Sequence, residues 1–481
     1  MTGSNKLIAA DQHIISELEK LPMDYWDFKN EDTRELTHGI HTYPAVMVYP
    51  ISRNLIRIIK QYQDIKTLMD PFMGSGTVLV EGVLSGMEKV YGTDLNPLAR
   101  LISSVKTKHL HYDEIKQAVE ALIIELNSQY ANYDQLINSV DDFIRNEKKL
   151  DITAKDGWGS NAPDYLKEFF ENKNIQFDIP DFKNIGYWFL PKVIIELQII
   201  KICINKINDE NIKNFIRVAF SETVRLVSNR RNSEFKMFRI ALEKLPKYNP
   251  DTKSEFIKIL TRNIEKMKSF YDLCDKKEKD TEVFIYDEDT RYLTNIPDNS
   301  IDLMVTSPPY GDSRTTVAYG EFSRVSLQWL DLYEVSNKSI MDIDKNLMGG
   351  TKFKKGFENS LQSPTLKAAL GRISEIDQER AGDVYSFYKD LDECIKSITQ
   401  KMKINSYQFW VVGNRTVKLE NLKTNEIIEE LGQQYGLEAV YTIGRNIPNK
   451  VMPSQNSPSN VTGEKVTTMT NEHIVILRKV R

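Results

Sequence analysis

Residues 66–94 restrict the fold of this chain more than any other stretch. Lys66-Thr67-Leu68-Met69 is a short apolar run that reads as a buried strand. The turn Asp70-Pro71-Phe72-Met73-Gly74-Ser75-Gly76-Thr77 follows, in which Gly74 and Gly76 allow backbone geometry that other residues resist. Val78, Leu79, Val80, Val83 and Leu84 then continue in a helical pattern, and a second strand, Lys89-Val90-Tyr91-Gly92-Thr93, ends at Asp94. Strand, glycine turn and helix in this order point unpaired backbone N–H groups at a ligand. The turn has no third glycine and no GKS or GKT, which argues against a P-loop.

A second segment carries chemistry of a different kind. Ile301-Asp302-Leu303-Met304-Val305 is short, apolar and rich in branched residues, and reads as another buried strand. It runs into Thr306-Ser307-Pro308-Pro309-Tyr310, where two prolines stop helix and sheet alike. Backbone carbonyls are then left as acceptors at a strand end. An amino group with two hydrogens needs two acceptors to be held and polarised, and Ser307 Oγ with the Pro308 carbonyl supplies them. Tyr310 offers a flat face for stacking. On the other segment, Asp94 can accept two hydrogen bonds from a ribose diol.

The two segments together resemble the DNA amino-methyltransferases. The resemblance implies an α/β, Rossmann-like class I methyltransferase fold: a mainly parallel seven-stranded sheet with a largely helical insertion. It implies S-adenosylmethionine as cofactor. Asp70, Pro71, Phe72, Gly74, Ser75, Gly76 and Thr77 resemble the family's cofactor loop, and Ser307, Pro308, Pro309 and Tyr310 its catalytic tetrapeptide. The S-P-P-Y form most resembles the cytosine-N4 branch, with adenine N6 as the alternative target. An RNA amino-methyltransferase and a non-catalytic DNA-binding subunit are more distant readings. His41, Tyr43, Pro44 and Ala45 resemble the segment that packs on the methionine end of the cofactor. Asp289 resembles the strand end facing its adenine, and Thr306, just before the catalytic tetrapeptide, is likewise expected at the cofactor. The motifs are scattered over most of the chain, and residues 110–280 match none.

Composition bounds the partners. The chain has 481 residues and a formal net charge of only −4, so a DNA binder of this kind needs local positive surface. Arg225, Arg230 and Arg231 belong to a stretch where basic residues outnumber Glu222 and Glu234. Lys352 and Lys354 stand in a glycine-flanked basic segment, and Arg445 and Lys450 between the last two expected strands. All seven are candidate contacts to double-stranded DNA. The three cysteines are far apart, which suggests a reducing compartment rather than a disulfide framework. The histidine pairs lack cysteine neighbours, so no metal is expected. No signal peptide or spanning apolar stretch is evident, and the expected location is cytoplasmic, without a membrane. Family habit implies a cognate restriction endonuclease as a separate chain.

The expected organisation has three parts. Residues 1–110 form the first part of the catalytic domain, with the cofactor loop. Residues 111–280 form a mostly helical insertion, a candidate for DNA recognition. Residues 281–481 complete the catalytic domain. Helices are expected at 112–130, 190–207, 211–227, 254–273, 321–332 and 381–402. Residues 131–185 and 345–363 read as irregular, and strands are expected at 407–412, 437–443 and 472–478.

Overall fold

The computed structural model describes residues 8–232, 235–276, 280–312, 315–330, 332, 335–350, 358–447, 455–456, 466–467 and 471–481. Seven strands, β1 (Thr67–Asp70), β2 (Lys89–Thr93), β3 (Glu282–Tyr286), β4 (Ile301–Thr306), β5 (Met402–Gly413), β6 (Leu437–Asn446) and β7 (Asn471–Lys479), form one sheet. Their order is β3-β2-β1-β4-β5-β7-β6. Strands β1 to β5 pair in parallel, while β7 runs antiparallel to β5 and β6. The strand order reverses direction between β1 and β4, and in such sheets ligands bind in the crevice outside the carboxyl ends at that switch point. The glycine turn after β1 and the Pro-Pro loop after β4 both open there. The short apolar runs read from the sequence are these two neighbouring strands, with Leu68 opposite Leu303.

Both sheet faces are covered. Leu303, Val305, Phe409, Val411, Ile474 and Ile476 pack toward α1 (Ala9–Glu19) and α2 (Tyr49–Lys60). Met304, Trp410, Val412, Val475 and Leu477 alternate with them and meet another set of helices on the opposite face. This period of two within apolar strands is what burial on both sides demands.

Helices α3 (Thr77–Leu84) and α4 (Pro97–Thr107) follow β1 and β2. Asn96 caps α4 through its side chain, accepting from Leu98 N–H at 3.1 Å, and Pro97 occupies the first turn. Residues 112–274 are helical for most of their length: α5 (Tyr112–Asn132), α6 (Asp134–Asp142), α7 (Ser160–Asn172), α8 (Ile185–Trp188), α9 (Pro191–Asn205), α10 (Glu210–Val227) and α11 (Thr252–Cys274). Helix α9 is buried on nearly every face, as its continuous apolar sequence requires. Residues 131–185 are a correction to the sequence reading, because α6 and α7 lie there. Leu136, Ile137 and Val140 of α6, and Leu166, Phe169 and Phe170 of α7, carry helical stripes that the intervening polar residues and Pro163 obscure. The same apolar cluster takes in Ile102 and Val105 of α4, and Phe322, Val325 and Trp329 of α12 (Tyr319–Trp329). The inserted helices therefore share a core with the sheet's own helices. Beyond α12 come α13 (Asn337–Asn346), α14 (Pro364–Ile376), α15 (Gln378–Lys401) and α16 (Thr424–Gln433). Among the described residues no helix is long and apolar enough to cross a membrane.

Candidate active site

The glycine turn is held by carboxylates at two strand ends. Asp70 closes β1, and its Oδ1 accepts from Phe72 N–H at 3.1 Å and from Thr306 Oγ at 2.6 Å. The second bond ties β1 to β4, so Thr306 fixes the start of the Ser307–Tyr310 loop to the turn. Gly74 and Gly76 have φ of 48° and 80°, in the left-handed region. A Cβ on Gly76 would also stand 2.8 Å from Ser103 Oγ. Asp94 accepts from Gly74 N–H at 3.1 Å through one oxygen and from Asn96 N–H at 2.7 Å through the other. Burial raises Asp70 to about 7, against the opposing bonds from Thr306 and Phe72. Burial likewise raises Asp94 to about 6, against Asn96, Arg100 and Gly74.

A cavity opens above this turn. Of the residues expected at a cofactor, Tyr43, Pro44, Ala45, Asp70, Pro71, Phe72, Gly74, Ser75, Thr77, Asp94 and Asp289 line it. Three others stand behind its wall. Gly76 caps α3 and Thr306 serves Asp70. His41 is buried, with Nε2 2.9 Å from Ser221 Oγ and Nδ1 2.6 Å from the Thr42 carbonyl. Burial first, with Arg225 and Lys106 adding to it, lowers His41 to about 4. It supports the wall from within, and is corrected from contact to scaffold. Asp289 accepts from Arg291 Nε at 3.0 Å on both oxygens, so part of its capacity is used internally. Glu288 lines the cavity beside Asp289, and Tyr319, Leu347 and Met348, which belong to no motif read from the sequence, join the lining from distant segments.

Ser307 and Pro309 also face a second cavity, which Pro308 and Tyr310 line together with Arg415, Arg445 and Glu472. The S-P-P-Y loop thus forms part of the wall shared by the two spaces, together with Ala45, Val46, Met47 and Tyr319. The Tyr310 hydroxyl donates to Glu472 Oε1 at 2.9 Å, and Ser307 Oγ lies 3.3 Å from it. Arg445 donates to the other oxygen of Glu472. Burial, then the Glu472 carboxylate, pushes Tyr310 well above the usual phenol range. Just beyond, Asp312 accepts from Arg380 at 2.9 Å and Arg415 at 3.2 Å. Its burial is outweighed by Arg380, Thr315 and Arg415, which together hold its carboxyl below the ordinary range.

The candidate DNA contacts fare differently. Arg225 and Arg230 are 4% and 2% exposed, and neither offers a solvent-facing charge. Arg225 stacks 3.3 Å from the Phe322 ring centroid and donates to the Phe322 carbonyl, so it joins α10 to α12. Arg230 sits in a bridge with Arg239. Arg445 lies on β6 rather than in a loop, buried against Glu472, with its Nε donating to the Trp26 carbonyl at 2.8 Å. All three are corrected from surface cations to internal ones. Arg231 is exposed. Lys352, Lys354 and Lys450 lie outside the described residues. Among the described residues no group of three or more His, Cys, Asp or Glu side chains is arranged to hold a metal ion.

A doubly covered, mainly parallel sheet with its cavity above the β1–β4 switch point and an acidic residue after β2 is the architecture of a Rossmann-like methyltransferase. The chain is 41% identical over 478 residues to the type II methyltransferase M.MvaI of Kocuria varians, covering 97% of each. It is 24% identical over 236 residues to the type II methyltransferase M.MjaII of Methanocaldococcus jannaschii, covering 44% of this chain and 43% of that one. No family model matches. Among solved structures, an rRNA methyltransferase from Streptomyces viridochromogenes aligns over 91% of this chain and 88% of its own, with 9% identity and a TM-score of 0.28. The chain belongs to the type II DNA methyltransferases. Membership implies S-adenosylmethionine as methyl donor, and the cavity's buried carboxylates and hydroxyls suit a polar, cationic nucleoside.

Proposed function

We propose that this enzyme methylates the exocyclic N4 amino group of a cytosine flipped out of duplex DNA. The observation that carries this reading is the position of Ser307 and Pro309 between the two cavities. An amino group held there from one side faces the cofactor cavity on the other. The serine of S-P-P-Y favours cytosine N4 over adenine N6.

When bound, S-adenosylmethionine supplies an electrophilic methyl group on a sulfonium. Asp94 would hold its ribose, Tyr43, Pro44 and Ala45 its methionine end, and Asp289 its adenine edge. Ser307 Oγ and the Pro308 carbonyl would accept from the target amino group and draw electron density toward nitrogen. That polarisation counts most in the transition state, because the amino lone pair is otherwise delocalised into the ring. Alignment of nitrogen with the methyl carbon is the remaining requirement. Tyr310 would stack on the base and offset part of the cost of flipping it, which is on the order of a few kcal/mol.

Residues 1–110 and 281–481 would supply the catalytic parts, and residues 111–280 would help shape the DNA cleft. A separate endonuclease cutting the same site would be the partner chain. Both would work in the cytoplasm, where DNA is accessible and the three buried cysteines stay reduced. The test is methyl transfer from labelled cofactor to duplex DNA, followed by nucleoside mass spectrometry. N4-methylcytosine is the expected product, and N6-methyladenine would overturn the choice of base.

A further inference from the structure

The hydrogen bonds around Ser307 have a fixed direction. An ionised carboxylate can only accept. Glu472 has Arg445 on one oxygen and the Tyr310 hydroxyl on the other, 2.9 Å away. The single proton of Tyr310 is therefore directed to Glu472. Its oxygen is left to accept from Ser307 Oγ, at 3.3 Å. With the serine proton so directed, the serine lone pairs are presented to the cavities, which is the polarity an amino donor requires.

We propose that Glu472 is the terminal proton acceptor of methyl transfer, reached through Ser307 and Tyr310. This rests on the reading that Ser307 holds the target amino group. As the amino nitrogen gains a bond to the methyl carbon and the carbon–sulfur bond breaks, its lone pair is consumed and its N–H becomes strongly acidic. The N–H proton passes to Ser307 Oγ, the serine's own proton to the Tyr310 oxygen, and the tyrosine's proton to Glu472 Oε1. Nitrogen keeps the electron pair of the broken N–H bond, both hydroxyls end neutral, and Glu472 gains one proton. Departure of the methylated base opens the cavity and returns that proton to water.

The acceptor is built in rather than incidental. Glu472 stands directly opposite Arg445 in the β6–β7 register, at the end of β7 beside the catalytic loop. The Glu472 and Arg445 side chains are 13% and 5% exposed. Arg445 is further held by the Trp26 carbonyl, to which its Nε donates at 2.8 Å. Asp312, the nearer carboxylate in sequence, is occupied by Arg380, Arg415 and Thr315.

The test compares the parent with Tyr310→Phe, Glu472→Gln and the double variant. Single-turnover methyl transfer is measured by rapid quench, DNA and cofactor affinities by titration, and the parent's product by nucleoside analysis. Phenylalanine keeps the stacking face, and glutamine keeps the shape of Glu472. Each single variant is expected to transfer methyl about a hundredfold more slowly, with both affinities changed less than about threefold. The double variant is expected to be no slower than the slower single, because both cut one path. Parent-like transfer by Tyr310→Phe overturns the relay, as do losses that multiply. So does a loss that appears in DNA or cofactor affinity rather than in rate, which is what a purely structural tie would give. A parent product without an N-methylated base would instead overturn the amino-group reading. N6-methyladenine would leave the relay standing, since it needs only an amino group.

Discussion

Asp94 is a residue with two duties. One of its oxygens latches Gly74 N–H, and the carboxylate lines the cavity proposed to hold the cofactor. Asp94→Ala is expected to weaken cofactor binding about ten- to a hundredfold, by losing an accepting group and by releasing the turn. Calorimetric titration checks this, and unchanged affinity would refute the role given to the end of β2. Ser307→Ala should lower turnover about a hundredfold while cofactor affinity stays within about twofold, since its contacts are expected on the target side. Turnover at the parent rate would remove Ser307 from the chemistry. Asp70 makes a statement about pH. Its native value of about 7 exceeds the ordinary value, so the native chain keeps a proton that the unfolded chain has released. Stability then falls as pH rises, from about 4 up to about 7, and levels off above. Urea midpoints at about pH 6 and about pH 8 should show this fall, and Asp70→Asn should flatten it. Asp94, raised to about 6, contributes a smaller part of the same slope. Equal slopes in parent and variant would show that Asp70 is not the titrating group.

At the scale of elements, α10 shows why charge in a sequence is a poor guide to surface. Its apolar residues Phe215, Val218 and Phe220 pack in the core, yet Arg217, Glu222 and Arg225 on the same helix are buried as well. Arg225 spans to α12, where its guanidinium lies flat on Phe322. Arg225→Ala is therefore expected to destabilise the fold by about 2–4 kcal/mol, through lost packing on the Phe322 ring and the lost bond to the Phe322 carbonyl. The salt dependence of DNA binding should stay unchanged, because no phosphate contact is removed. A shallower salt slope with unchanged stability would restore Arg225 to the DNA surface. Strands β6 and β7 teach the same lesson. Their antiparallel register brings Arg445 opposite Glu472, and neither residue announces the other in the sequence.

At the scale of the whole molecule, the inserted helices and the cavity proposed for the cofactor are mechanically joined. Glu222 of α10 accepts from Thr42 Oγ at 3.0 Å and from Arg262 of α11 at 2.5 Å. It thereby holds the segment that continues into Tyr43, Pro44 and Ala45. Apolar faces of α4 and α12 are covered by the same helices. A chain in which residues 112–274 are replaced by a short linker is expected to aggregate or to lose cofactor binding. Size-exclusion chromatography and cofactor titration check this, and a monomeric product that binds like the parent would show the insertion to be dispensable for the cofactor site.

Much of the fold was legible because its signals are local. The strand–glycine turn–helix at 66–84 depends on neighbours in the chain: an apolar run, residues free to adopt positive φ, and a helical stripe. The Pro-Pro stop after β4 is local in the same sense, and each proline acts on its own backbone. These features placed the turn and the loop, and most of the cavity's lining on the first side. Tertiary structure decided the rest. It chose which arginines turn inward, moved His41 behind the wall, and set Glu472 against Tyr310. A side chain's charge states that it needs a partner or water, whereas the order in which strands and helices assemble determines which of the two it finds.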